Sequence, residues 1–176
     1  MRKHHPLVFL ILLTCLLFHS SCQKDVSQQK EQPKEISAAS NVNAETPPFN
    51  LEVILRGEGN AFGLVKFRQD VDPSKIITLD TWVRDLQPNH NYLLQRAVDP
   101  INVVDGDCTS TSWLTLGKGL TPQAIVTDGD GTGRESLWRD VTAVPSGSQF
   151  DIHFRIVDAT NMAVVLTSDC YHYTVR

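Results

Sequence analysis

An all-β fold is what the sequence predicts: an antiparallel Greek-key β-sandwich or flattened barrel of about eight strands. Three observations predict it. Apolar and polar residues alternate with period two in Leu51/Val53/Leu55, Ile77/Leu79/Thr81/Val83 and Phe150/Ile152/Phe154/Ile156, giving each run one face to bury. Turn-forming clusters separate such runs, at Gly57-Glu58-Gly59-Asn60, Asp72-Pro73, Pro88-Asn89-His90-Asn91, Asp128-Gly129-Asp130-Gly131 and Pro145-Ser146-Gly147. No stretch between them shows the periodicity of an amphipathic helix.

The first element stands apart from that fold. Arg2, Lys3 and two histidines precede the apolar run from Leu7 to Phe18. That run is shorter than the roughly 20 residues a spanning helix needs, and Ser20-Ser21 follow it, so residues 1–21 read as a signal peptide. Ser20-Ser21-Cys22 resembles the end of a bacterial lipoprotein signal, in which the cysteine is lipidated and becomes the first mature residue. Cys22 is therefore expected to carry lipid and to hold the chain at the membrane of the bacterial cell envelope. The alternative is ordinary cleavage nearby, with Cys22 an incidental thiol.

Residues 22–48 are rich in Gln, Lys, Glu, Ser, Asn and Pro and nearly lack apolar side chains, so they are expected to form a flexible tether. Cys22-Gln23-Lys24-Asp25 resembles the Lys-plus-acid tags of surface-exposed lipoproteins in Bacteroidetes-type bacteria. A merely solvated tether accounts for it equally well. The resemblance implies an outer-membrane location, facing outward if the tag reading holds.

Residues 49–176 make up the β-sandwich domain. They contain 11 Lys and Arg against 16 Asp and Glu, a net charge of about −5, with no basic footprint for nucleic acid. Of the four cysteines, Cys15 leaves with the signal peptide and Cys22 takes the lipid. Cys108 and Cys170, the latter in the last strand-like run Val164–Tyr171, remain as an even pair in an oxidising compartment, where a structural disulfide is expected.

Taken in order, the pieces of this domain are similar to copper/zinc superoxide dismutase. Leu55-Arg56-Gly57-Glu58-Gly59 followed by Gly63-Leu64-Val65-Lys66-Phe67 resembles that family's first hairpin, and Val83 to Pro88 its strand ending in a Gly-Leu turn. Gly106-Asp107-Cys108-Thr109-Ser110 is similar to its Gly-Cys-Thr-Ser loop. Thr127-Asp128-Gly129-Asp130-Gly131 and Leu137-Trp138-Arg139-Asp140 resemble its Asp-Gly hairpin, and Cys170 stands at its second disulfide cysteine. The resemblance implies that the sandwich is superoxide dismutase-like, with an immunoglobulin-like one as the alternative, and supports the Cys108–Cys170 bond. It does not extend to the metal ligands. The copper strand's two histidine positions fall on Leu93 and Gln95, and residues 111–119 stand where the zinc loop would be, without His or Asp. Leu166-Thr167-Ser168-Asp169 occupies the place of the family's arginine before the second cysteine.

Other candidates each have a plainer reading. His90, His153 and His172 are widely spaced; His153 and His172 are conceivable as a metal pair, or are surface and half-buried histidines. The oxygen donors of Asp128, Asp130 and Thr132 ahead of Gly133 partly resemble a calcium loop, but Arg139 stands at the twelfth position, which favours a hairpin turn. Tyr171 with Tyr173, Trp82 with Arg84, Trp113 and Trp138 are candidates for an exposed recognition patch or for core packing. No nucleophile-and-base constellation stands out. The sequence therefore assigns no catalytic residue, no metal and no cofactor. It predicts a membrane-anchored binding domain for a protein or glycan, with a divergent metal-binding or superoxide-handling protein and a purely structural envelope lipoprotein as alternatives.

Overall fold

A computed structural model describes residues 48–176. The expected signal peptide over 1–21, the expected lipidation site Cys22 and all of the expected tether but Pro48 lie outside the described residues. Twelve strands make up the fold: β1 (Phe49–Arg56), β2 (Phe62–Gln69), β3 (Ile76–Arg84), β4 (Asn91–Val98), β5 (Leu114–Thr115), β6 (Gly117–Lys118), β7 (Thr121–Pro122), β8 (Ala124–Val126), β9 (Gly133–Asp140), β10 (Gln149–Asp158), β11 (Val164–Ser168) and β12 (Tyr171–Thr174).

The long strands coincide with the period-two runs, because alternation lets one face of each bury while the other meets water. Val53, Leu55, Val65, Phe67, Ile77, Leu79, Val83, Leu137, Phe150, Ile152, Phe154 and Ile156 all point into one core. Every turn cluster predicted from Gly, Pro, Asn and Asp lies in a connection between strands, save that Asn91 opens β4. At one of them Gly131 has φ +73°, a left-handed conformation, and its α-carbon faces the Leu86 carbonyl too closely to admit a side chain.

The strands form one sheet that nearly closes into a barrel, in the order β5-β4-β10-β11-β1-β2-β3-β9-β6-β7, with β8 on β4 and β12 on β10. β1, β2, β3 and β9 pair antiparallel along their lengths, and β11 joins this half to β10 and β4 through Leu55↔Ser168 and Arg56↔Thr167. The seam lies between β4 and β9, and one short segment latches it. β5 pairs with β4 through Gln95↔Thr115, β6 meets β9 at Lys118↔Trp138, and the Leu116 amide between them donates to the Leu94 carbonyl at 2.8 Å. At the other end of the seam, β8 pairs with β4 and Thr127 bridges to Gly133.

Two expectations need correction. Twelve strands replace about eight, because the latch region supplies four strands of two or three residues and the final run is broken in two. Cys170 is not within a strand. It sits between β11 and β12, so β11 pairs with both β1 and β10 whereas β12 pairs with β10.

Candidate functional site

Two buried aspartates organise the surface over β4 and β10. Asp99, directly after β4 and 4% exposed, accepts hydrogen bonds from the Thr109 amide at 3.0 Å and the Ser110 amide at 2.7 Å. Those amides, that of Thr109 foremost, hold its carboxyl below the ordinary range against the opposing effect of burial. Asp151 of β10, 1% exposed, accepts from the amides of Asp105 at 2.9 Å and Gly106 at 2.8 Å. The Cys108–Cys170 disulfide fastens the same loop to the chain between β11 and β12, with Cα atoms 5.4 Å apart. Two carboxylates and one covalent bond thus fold residues 105–110 down onto the barrel.

Beneath this loop the positions resembling copper ligands are filled by a different kind of cluster. Gln95 is buried; its Nε2 donates to Thr115 Oγ1 at 2.9 Å and its Oε1 accepts from Arg155 Nε at 2.8 Å. The Arg155 guanidinium lies 4.0 Å from the Trp113 ring centroid, a cation–π contact. Trp113 in turn lies against His153, with centroids 4.6 Å apart, and His153 Nε2 is 3.0 Å from the Ser110 carbonyl. Burial pushes the Arg155 pKa down. Gln95, Arg155 and Trp113 satisfy one another with hydrogen bonds and stacking, and Leu93 beside them has no donor atom.

The other candidates take their plainer readings in part. His90 pairs with Asp158 at 2.9 Å, and the Asp158 carboxyl is held below its usual range by the Thr160 amide and then by His90. His172 is exposed on β12, opposite Asp151 in register. Among the described residues, no three His, Cys, Asp or Glu side chains lie close enough together to hold a metal ion. Asp128 Oδ1 accepts from the Asp130 and Thr132 amides at 3.0 and 2.9 Å, the hairpin arrangement. Tyr173 packs in the core against Phe49 and Phe67, and the hydroxyl of Tyr171 accepts from the Ile54 amide. These tyrosines are structural. Trp138, 40% exposed, lies over Gly119.

Trp82 and Arg84 belong to a patch that their neighbours complete. On the outer face of β1, β2, β3 and β9, register aligns Ile54, Leu64, Trp82 and Arg134 in one row and Arg56, Phe62 and Arg84 in the next. The Arg56 and Arg84 guanidinium groups stand 5.9 and 5.2 Å from the Phe62 centroid, and Trp82 meets Phe62 edge to face at 6.0 Å. Ile54 is 37% exposed and the three arginines are exposed. Only Trp82 and Arg84 were legible as a pair. Phe62, Leu64 and Arg56 join them through strand register, which alternation within one strand does not reveal.

No family model, curated protein or solved structure matches this chain.

Proposed function

We propose that the chain is a non-catalytic envelope lipoprotein, anchored through lipid on Cys22, whose β-barrel is an interaction domain for another protein or a glycan. One observation carries this reading: an apolar and cationic face, Ile54-Leu64-Trp82 rimmed by Arg56, Arg84 and Arg134, on a domain that is otherwise acidic. Exposed apolar side chains mixed with arginine are what partner-binding surfaces use, since aromatic residues and Arg concentrate binding energy. Arg84 is paired with Asp85 at 3.0 Å, and Arg56 and Arg134, without an ion pair among the described residues, favour an acidic partner.

The barrel is of superoxide dismutase-like, Greek-key type on this reading. In its support, β3 and β4 are consecutive in sequence yet unpaired, and so are β9 and β10, so the chain twice leaves the β1–β2–β3–β9 half of the sheet for the β4–β10 half. The Cys108–Cys170 bond joins the loop and C-terminal positions that the family's disulfide joins. Retaining such a fold without its metal chemistry is physically ordinary, because the reaction depends on donor atoms and not on the sheet.

The experiment compares the immobilised wild-type protein with Trp82→Ala/Arg84→Ala in capture from envelope extract and from a panel of acidic polysaccharides. The wild type is expected to retain a component that the double variant loses at unchanged melting temperature. Equal capture by both, or capture by neither, overturns the assignment of this face. In parallel, protein incubated with copper and zinc and then desalted is expected to hold no stoichiometric metal and to leave superoxide decay at the rate of a heat-denatured control. Tightly held copper, with activity abolished by His153→Ala, would replace this reading with a metal protein.

A further inference from the structure

Two arginines break the inward pattern of the strands that border the seam. On β4 the core-facing phase runs Tyr92, Leu94, Arg96, Val98, and on β9 it runs Leu137 and then Arg139. Both guanidinium side chains line the same cavity of about 180 Å³, whose other walls include Leu79, Leu116, Phe150 and Phe154. Half-exposed Ile101 lies at its edge. An apolar residue at either arginine position would have continued the core; instead two cations face one hydrophobic space.

Neither arginine forms an ion pair among the described residues. Arg139 Nη1 donates to the Gly119 carbonyl at 3.2 Å. The nearby carboxylates have other partners, though Asp140, which does not line the cavity, feels the Arg139 charge. Glu135, on the inward phase of β9, is paired with Lys118 at 2.9 Å, and Asp140, on the outward phase, accepts from the Thr142 amide at 2.7 Å. Burial pushes the pKa of Arg96 down and the like charge of Arg139 adds to that. As it stands Arg96 suffers desolvation and the repulsion of Arg139, both of which an anion between them would offset.

We propose that this seam cavity binds a small amphipathic carboxylate, its head between Arg96 and Arg139 and its apolar body among the leucines and phenylalanines. The size follows from the volume. An apolar cavity of about 150 Å³ takes up benzene, so about 180 Å³ accepts a body of roughly six to eight carbons. The charge follows from the two arginines, and planar bidentate recognition of a carboxylate suits guanidinium. This site is inside the barrel and separate from the outer face discussed above, so either can fail alone.

Isothermal titration of the full chain carrying Cys22→Ser, which removes the expected lipid as a competing amphiphile, tests it with octanoate, octanol and acetate. Octanoate is expected to bind one to one, and octanol and acetate at least about tenfold more weakly. Arg96→Met and Arg139→Met keep the apolar stem and delete the charge. Each is expected to weaken octanoate about tenfold, towards the octanol level, without lowering the melting temperature. Should either variant fail to fold, methyl resonances of Leu79 and Leu116 in the Cys22→Ser protein report occupancy directly and are expected to shift with octanoate and not with acetate. Absence of octanoate binding overturns the proposal. So does binding matched by octanol or by acetate, or binding that both methionine variants retain in full.

Discussion

Single side chains decide how this barrel is finished, and the most consequential are polar. Asp99 accepts from the Thr109 and Ser110 amides, and its carboxyl is depressed by them, so its folded pKa lies below its unfolded one. Its contribution to stability is therefore present above the unfolded carboxylate value, about 3.9, and is lost as pH falls through the lower folded value. Asp99→Asn is expected to melt lower than wild type at neutral pH and to show a shallower acid limb, as thermal melts across a pH series would record. Gln69, 0% exposed, offers Oε1 to the Tyr173 hydroxyl at 2.7 Å and the Arg176 amide at 2.8 Å. Gln69→Leu leaves both donors unpaired and is expected to cost about 1–3 kcal/mol in denaturant unfolding. None of these roles was legible in the sequence. Asp151 occupies a polar phase between Phe150 and Ile152, which reads as solvent-facing until the loop folds over it. Arg96 and Arg139 did carry a signal, a charge on the inward phase of an alternating strand, but it means nothing until the fold brings both to the wall of one cavity.

Among the elements, the long strands were legible because burial on one face writes itself into residue order, and β1, β3 and β10 lie where Leu51–Leu55, Ile77–Val83 and Phe150–Ile156 alternate. The latch was not. β5 to β8 are two or three residues long and owe their pairing to β4, to β9 or, for β7, to β6, so no local pattern announces them. The break at Cys170 was equally hidden, since Val164 to Tyr171 reads as one extended run whereas β11 ends at Ser168 and β12 begins at Tyr171. The pairing of Cys108 with Cys170 itself followed from counting cysteines. Their separation of 62 residues sets an upper chain-entropy estimate of about 4 kcal/mol for the bond. Cys108→Ser is expected to lower the melting temperature clearly by calorimetry and to loosen the 105–110 loop, read as faster amide exchange at Thr109 and Ser110.

For the whole molecule, the anchor and the barrel make separable predictions. If Cys22 is lipidated, the protein partitions with membranes, and Cys22→Ala releases it or stalls its processing; a wild-type protein found wholly in the soluble fraction would count against the anchor. The barrel's pairing has a kinetic consequence. β1 lies between β2, its hairpin neighbour, and β11, whose residues come from the far end of the domain. The β1–β2–β3 meander can assemble early from local contacts, but its free edge waits for β11, and β4 likewise waits for β10. Such non-local closure belongs to chains that refold over roughly milliseconds to seconds. The cross-link between residues 108 and 170 survives in an unfolded, oxidised chain and shortens that search, because it keeps the last strands near the middle of the chain. Stopped-flow refolding is therefore expected to be faster for the oxidised protein than for the reduced one, with the gap appearing mainly in the folding arm of the chevron.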